Sequence, residues 1–198
     1  MLQIKAIKLE PNHPFTWASG WKSPIYCDNR KTLSYPEVRT YIRDQFVELI
    51  RARYPQVELI AGVATGAIAQ GALVAQEMGL PFVYIRSAAK SHGLENLIEG
   101  EYKAGQKVVV VEDLVSTGGS SLQAVEALRN AGCEVLGMVA IFTYGFQKAI
   151  DNFANAHCEL DTLSNYNAMI DLAQKSGYVK AEEVAKLKEW RVSPETYK

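Results

Sequence analysis

An α/β fold, a parallel sheet flanked by helices with a small N-terminal hood, is what the sequence predicts, and three observations predict it. The first is the run Val108, Val109, Val110 and Val111. An unbroken β-branched stretch suits a parallel strand covered on both faces better than a strand with one wet face, which would alternate. The second is the succession of strand and helix, seen where residues 59–64 read as a buried strand and residues 68–78 as a helix stopped by Gly79. The third is size. At 198 residues the chain can bury one α/β core with a small appendage and is too short for two ordinary domains. A single domain is expected, with a hood over about 1–35, a core over about 36–178 and terminal helices to 198.

Composition narrows the classes of partner. The formal charge of −1 argues against general nucleic-acid binding, so any anion site must be a local concentration of Lys, Arg and His. Cys27, Cys133 and Cys158 are scattered without CxxC spacing. That suits a reducing compartment, argues against a zinc site or disulfide framework, and leaves each thiol as a small hydrophobe. The N-terminus is charged from Lys5 onward, and no apolar run approaches ~18 residues, so the reading is cytoplasmic with no membrane partner.

In chain order, a short amphipathic stretch over 2–9 runs into Pro11 and Pro14, which break helical continuation. Phe15-Thr16-Trp17 and Pro24-Ile25-Tyr26-Cys27 flank a turn and read as an aromatic hairpin able to cap a sheet. Residues 37–54 follow Pro36 and place Val38, Tyr41, Ile42, Phe46, Leu49 and Ile50 near one helical face. After the strand and helix of 59–78, residues 82–85 form a short strand. A long aperiodic loop from Arg86 to Tyr102 carries Arg86, Lys90 and His92, which suits a cationic lid. Beyond residue 107 the pattern gives a strand, a helix over 122–131 ended by Gly132, a buried strand over 135–142 and a helix over 146–154. An edge strand over 158–163 and helices over 166–175 and 182–190 close the fold.

The chemistry concentrates in residues 107–122, KVVVVEDLVSTGGSSL. Glu112 and Asp113 directly follow the valines. Two carboxylates would be costly inside a core, so they are expected at the strand's carboxyl end, where open α/β sheets bind ligands. The next residues, Ser116, Thr117, Gly118, Gly119, Ser120 and Ser121, join glycines that expose backbone N–H groups to hydroxyls and a helix N-terminus, a phosphate-sized cradle. Carboxylates repel phosphate yet accept hydrogen bonds from a sugar diol, so acids followed by an anion loop imply a ribose carrying a phosphate. No Walker motif occurs, and the turn Gly62-Val63-Ala64-Thr65-Gly66 lacks GxGxxG spacing, though it could bring amides against a second phosphate.

A hydrophobic run, two acids, two hydrophobics and a Thr/Gly/Ser loop resemble the 5-phosphoribosyl-1-diphosphate (PRPP) motif of type I phosphoribosyltransferases. The stretch FTWASGWKSPIYCDNR resembles the hood of the orotate phosphoribosyltransferases, and the loop with Arg86, Lys90 and His92 resembles the family's catalytic loop. The resemblance implies a type I phosphoribosyltransferase fold, and a transfer from PRPP to orotate giving orotidine 5′-monophosphate and diphosphate, with Mg²⁺ held mainly by PRPP. It assigns catalysis to Lys90, His92, Arg86 and Asp113. PRPP binding falls to those residues together with Glu112, Leu114, Val115, Ser116, Thr117, Gly118, Gly119 and Ser120. Orotate falls to Lys22, Tyr26 and Ser116, with Tyr144 as nearest candidate where some members carry an arginine. Ser87 and Gly66 stand where some members have lysines, so Gly66 carries over a backbone role alone. A homodimer with shared active sites is also implied. A purine phosphoribosyltransferase and a non-catalytic PRPP-binding regulator are the competing readings.

Overall fold

The computed structural model describes residues 1–17, 20–87 and 97–197. Lys90, His92 and most of the expected lid therefore lie outside the described residues. In chain order the strands and helices are β1 (Ile7–Leu9), β2 (Phe15–Thr16), β3 (Lys22–Ser23), β4 (Ile25–Cys27), α1 (Pro36–Arg53), β5 (Leu59–Val63), α2 (Ile68–Met78) and β6 (Phe82–Ile85). They continue with β7 (Ile98–Glu99), β8 (Lys107–Val115), α3 (Gly119–Asn130), β9 (Glu134–Thr143), α4 (Gln147–Asn155), β10 (Leu160–Asn165), α5 (Tyr166–Lys175) and α6 (Ala181–Val192). Between β4 and α1 lies a 3-10 segment, Asn29–Ser34.

Among the described residues the main sheet has six strands in the order β10-β9-β8-β5-β6-β7. Every neighbouring pair in it is parallel except β6 with β7. The valine run explains itself in this setting. Successive side chains of a strand point to opposite faces, and Val109 and Val111 enter the core shared with α1, α2, α5 and α6. Val108 and Val110 enter the second core, formed with α3 and α4. With helices on both faces, no position of the run meets water, so alternation has nothing to act on.

Several boundaries differ from expectation. β8 runs past both acids to Val115, so Glu112 and Asp113 lie within the strand and do not end it. Helix α3 begins at Gly119, because the loop glycine Gly118 adopts the left-handed conformation that admits a helix directly after it. The expected lid contains β7, whose two residues pair with Tyr84 and Ile85. The hood is paired otherwise than predicted. Phe15 and Thr16 pair with Ser23 and Lys22, whereas Ile25, Tyr26 and Cys27 pair with Leu9, Lys8 and Ile7. The amphipathic start of the chain is thus partly a strand, which buries Ile7 and Leu9 in the same core as Ile25.

Helix α6 returns to this hood. Asn12 donates to Glu183 at 2.9 Å and accepts from Lys186 at 2.8 Å. Tyr197 donates to the Pro11 carbonyl at 3.2 Å, and the Trp190 indole to the Lys22 carbonyl at 3.1 Å.

Candidate active site

Because β5, β6, β8 and β9 are parallel, their carboxyl ends share one edge of the sheet, and Gly66, Arg86, Asp113 and the loop after β8 gather there. The loop is held from behind. Asn152 Nδ2 donates to the Thr117 carbonyl at 2.9 Å, and the Thr143 hydroxyl to the Val115 carbonyl at 3.1 Å. Gly118 has φ of 82°, and a Cβ there would stand 2.7 Å from the Phe153 ring, so conformation and space both require glycine. No side chain caps α3. The N–H groups of its first turn are consequently left for solvent or an anion, and Gly119 and Ser120 at that turn are exposed.

The two acids are separated by their surroundings. Glu112 is 5% exposed, and its carboxylate accepts from the Asp113 N–H at 2.9 Å and the Ser121 hydroxyl at 2.8 Å. It forms the floor of the loop, whereas the sequence placed both acids at the strand's carboxyl end. Asp113 is the half-buried acid that faces the edge. A Cβ on Gly66 would overlap the Asp113 carboxyl group, so the turn after β5 approaches this acid more closely than any side chain would permit. Within that turn the Ala64–Thr65 peptide is cis.

Burial, reinforced by the neighbouring Asp113 charge, pushes the Glu112 carboxyl up to about 8. The folded chain therefore keeps this proton where an unfolded chain has lost it. The associated stability is complete below the ordinary carboxylate range and is lost as pH rises through about 8. For Glu112→Gln, which is neutral throughout, the melting temperature relative to the native chain should increase steadily between about pH 5 and pH 9. A constant difference across that range would show that Glu112 ionises as an ordinary carboxyl.

Arg86 follows β6 on the same edge. Its N–H donates to the Leu97 carbonyl at 2.9 Å, and its guanidinium meets Glu99 at 3.4 Å, both partly exposed. From the hood side, Asn29 is 2% exposed, and its Nδ2 donates to the Asp113 carbonyl while its Oδ1 accepts from the Cys27 thiol at 3.3 Å. Lys22 is exposed and donates to the Thr16 hydroxyl at 2.8 Å. Tyr26, 40% exposed, sets its ring 5.7 Å from Phe15.

Tyr144 requires correction. It is 2% exposed, with ring centroids of Trp17, Phe142, Phe146 and Trp190 at 5.2, 5.6, 5.4 and 5.6 Å. A ring enclosed in this way packs the end of β9 against the hood and α6, and does not present itself to a ligand.

The pattern of the phosphoribosyl transferase domain matches residues 34–172. An orotate phosphoribosyltransferase of Porphyromonas gingivalis is 62% identical over 197 residues, covering 100% of this chain and 94% of its own. One from Bacteroides thetaiotaomicron is 63% identical over 194 residues, covering 98% and 92%. The chain belongs to the orotate phosphoribosyltransferase family. The crystal structure of the Aeropyrum pernix orotate phosphoribosyltransferase superposes with a TM-score of 0.78 at 26% identity, covering 90% of this chain and 97% of that one. The fold is therefore the type I phosphoribosyltransferase fold. Within this family frame, the structure brings Arg86, Asp113 and Ser116 to Ser120 to one edge and sets the hood bearing Lys22 and Tyr26 beside it through Asn29. Asn29, Asn152 and Trp190 are site-supporting residues that the sequence did not single out. Asn29 had a faint signal, a polar residue closing the hood motif; the other two look like ordinary helix positions.

Proposed function

We infer that the chain transfers the 5-phosphoribosyl group of PRPP to orotate, giving orotidine 5′-monophosphate and diphosphate, a step of pyrimidine nucleotide synthesis. The observation that carries this reading is the uncapped anion loop beside Asp113, in a chain matched along its length by orotate phosphoribosyltransferases. In the reaction, the bond from ribose C1 to the diphosphate oxygen breaks and one from C1 to an orotate ring nitrogen forms, that nitrogen giving up its proton to solvent. The intervening sugar has oxocarbenium character, and the nucleophile comes from the substrate.

The chain's own groups bind and orient. The α3 N-terminus and the loop Ser116 to Ser120, with Leu114 and Val115 leading into it, take the 5-phosphate, and Asp113 takes the ribose hydroxyls over the floor set by Glu112. Arg86, Lys90 and His92 neutralise charge on the departing diphosphate. Lys22 pairs with the orotate carboxylate, with Tyr26 beside the base. Among the described residues no group of three or more His, Cys, Asp or Glu is placed to hold a metal ion. Asp113 as the accessible acid fits a Mg²⁺ carried by substrate oxygens; when bound it would offset the diphosphate charge. A homodimer whose basic loops reach the neighbour's site belongs to the same reading, as does a cytoplasmic location. No helix among the described residues is long and apolar enough to cross a membrane.

Incubation with PRPP, with and without Mg²⁺, against orotate, uracil and purines tests this reading. Orotate should be used far better than uracil, which lacks the carboxylate, and a purine preference would overturn the assignment. For Lys22→Ala, loss of a charged hydrogen bond should lower kcat/KM for orotate roughly 10- to 100-fold. Unchanged orotate kinetics would remove Lys22 from the site.

A further inference from the structure

We propose that Trp190, on α6, is a positioning residue for orotate: its indole N–H fixes the main chain of Lys22 and so sets where the lysine ammonium stands. The inference rests on the assignment of Lys22 to the orotate carboxylate. Its starting point is how little the hairpin holds itself. β2 and β3 have two residues each, and isolated two-stranded hairpins are marginal in water even when longer. The Lys22 ammonium bonds the Thr16 hydroxyl. Because Thr16 belongs to the same hairpin, that bond fixes the ammonium relative to the hairpin and not relative to the sheet.

The link to the sheet runs through aromatic rings. Trp17 donates to the Ile25 carbonyl at 3.2 Å and lies edge-on to Trp190 at 5.6 Å. Trp190 is 0% exposed and touches Tyr144, Phe146 and Tyr166 at 5.6, 5.3 and 5.3 Å. A fully buried indole N–H needs an acceptor, and here the acceptor is the Lys22 carbonyl at 3.1 Å. Next along α6, Arg191 donates to the Gly145 carbonyl at 2.9 Å, which ties the helix to the segment after β9. α6 thus holds the base-side lysine and the sheet together. The PRPP-side groups are secured elsewhere, Asp113 by Asn29 and the anion loop by Asn152 and Thr143. Loss of the indole bond should therefore be felt by orotate and not by PRPP.

The test replaces Trp190 with 3-benzothienylalanine, which keeps the bicyclic shape and lacks the N–H, in the full chain. The KM for orotate should rise roughly five- to tenfold, with the KM for PRPP and the melting temperature near native values. Trp190→Phe should show the same split together with a lower melting temperature, since it also leaves a void. Lys22→Ala is assayed in parallel. An isostere with native orotate KM beside a defective Lys22→Ala overturns the inference alone, as does an equal rise in both KM values. Native orotate kinetics in Lys22→Ala overturns it together with the Lys22 assignment.

Discussion

Gly66→Ala should reduce kcat/KM for PRPP by roughly a hundredfold or more, the scale expected when a binding group is displaced by about an ångström, while the protein melts near the native temperature. The added methyl would occupy the place of the Asp113 carboxyl group. Asp113 is partly exposed and ends in a short movable side chain, so it can swing aside without disturbing β8, whose neighbours Val111 and Val115 are fully buried. The consequence is a folded protein whose acid points away from the ribose. Steady-state kinetics with varied PRPP, alongside thermal melting, separates the outcomes. Native kinetics would mean that the position of the Asp113 carboxyl is immaterial. A collapse in melting temperature would mean that the turn yields instead of the side chain.

The second large effect concerns assembly. Lys90→Ala and Asp113→Asn should each be nearly inactive, the first for want of a cation at the departing diphosphate and the second for a weakened ribose contact. If the basic loop of one subunit serves the other's site, a hybrid dimer has one site bearing both lesions and one bearing neither. Mixed in equal amounts, denatured and refolded, the two variants should recover roughly a quarter of native activity, because random two-fold pairing makes about half of the dimers hybrids. Recovery no greater than that of either parent would show that each loop closes over its own subunit.

The parts of the fold most legible in the sequence were those with local causes. α2, β6 and α5 fall where periodicity placed them, and Gly79 ends α2 in the left-handed conformation expected of a glycine stop. The glycine turn into α3 was legible because glycines, hydroxyls and a helix start are consecutive in the chain. The hood was not. Its strands are two or three residues long, and their partners are set by where Ile7, Leu9 and Ile25 find a core. Tyr144 was misjudged for a related reason: a ring at a strand end faces either a ligand or other rings, and those enclosing it come from distant segments containing Trp17 and Trp190. Glu112 and Asp113, adjacent in sequence, point to opposite sides of a strand, so one is buried under the loop and the other is half-buried at the sheet edge.

The return of α6 to the hood also bears on the order in which the molecule is completed at the ribosome. Synthesis runs from the N-terminus, so β8, the anion loop and α3 emerge before residues 181–192 exist. A nascent chain at that stage possesses β8, the glycine loop and α3, while its hood has yet to meet Asn12's partners Glu183 and Lys186 or the indole of Trp190. The hood, though translated first, gains its contacts with α6 only when residues 181–192 arrive.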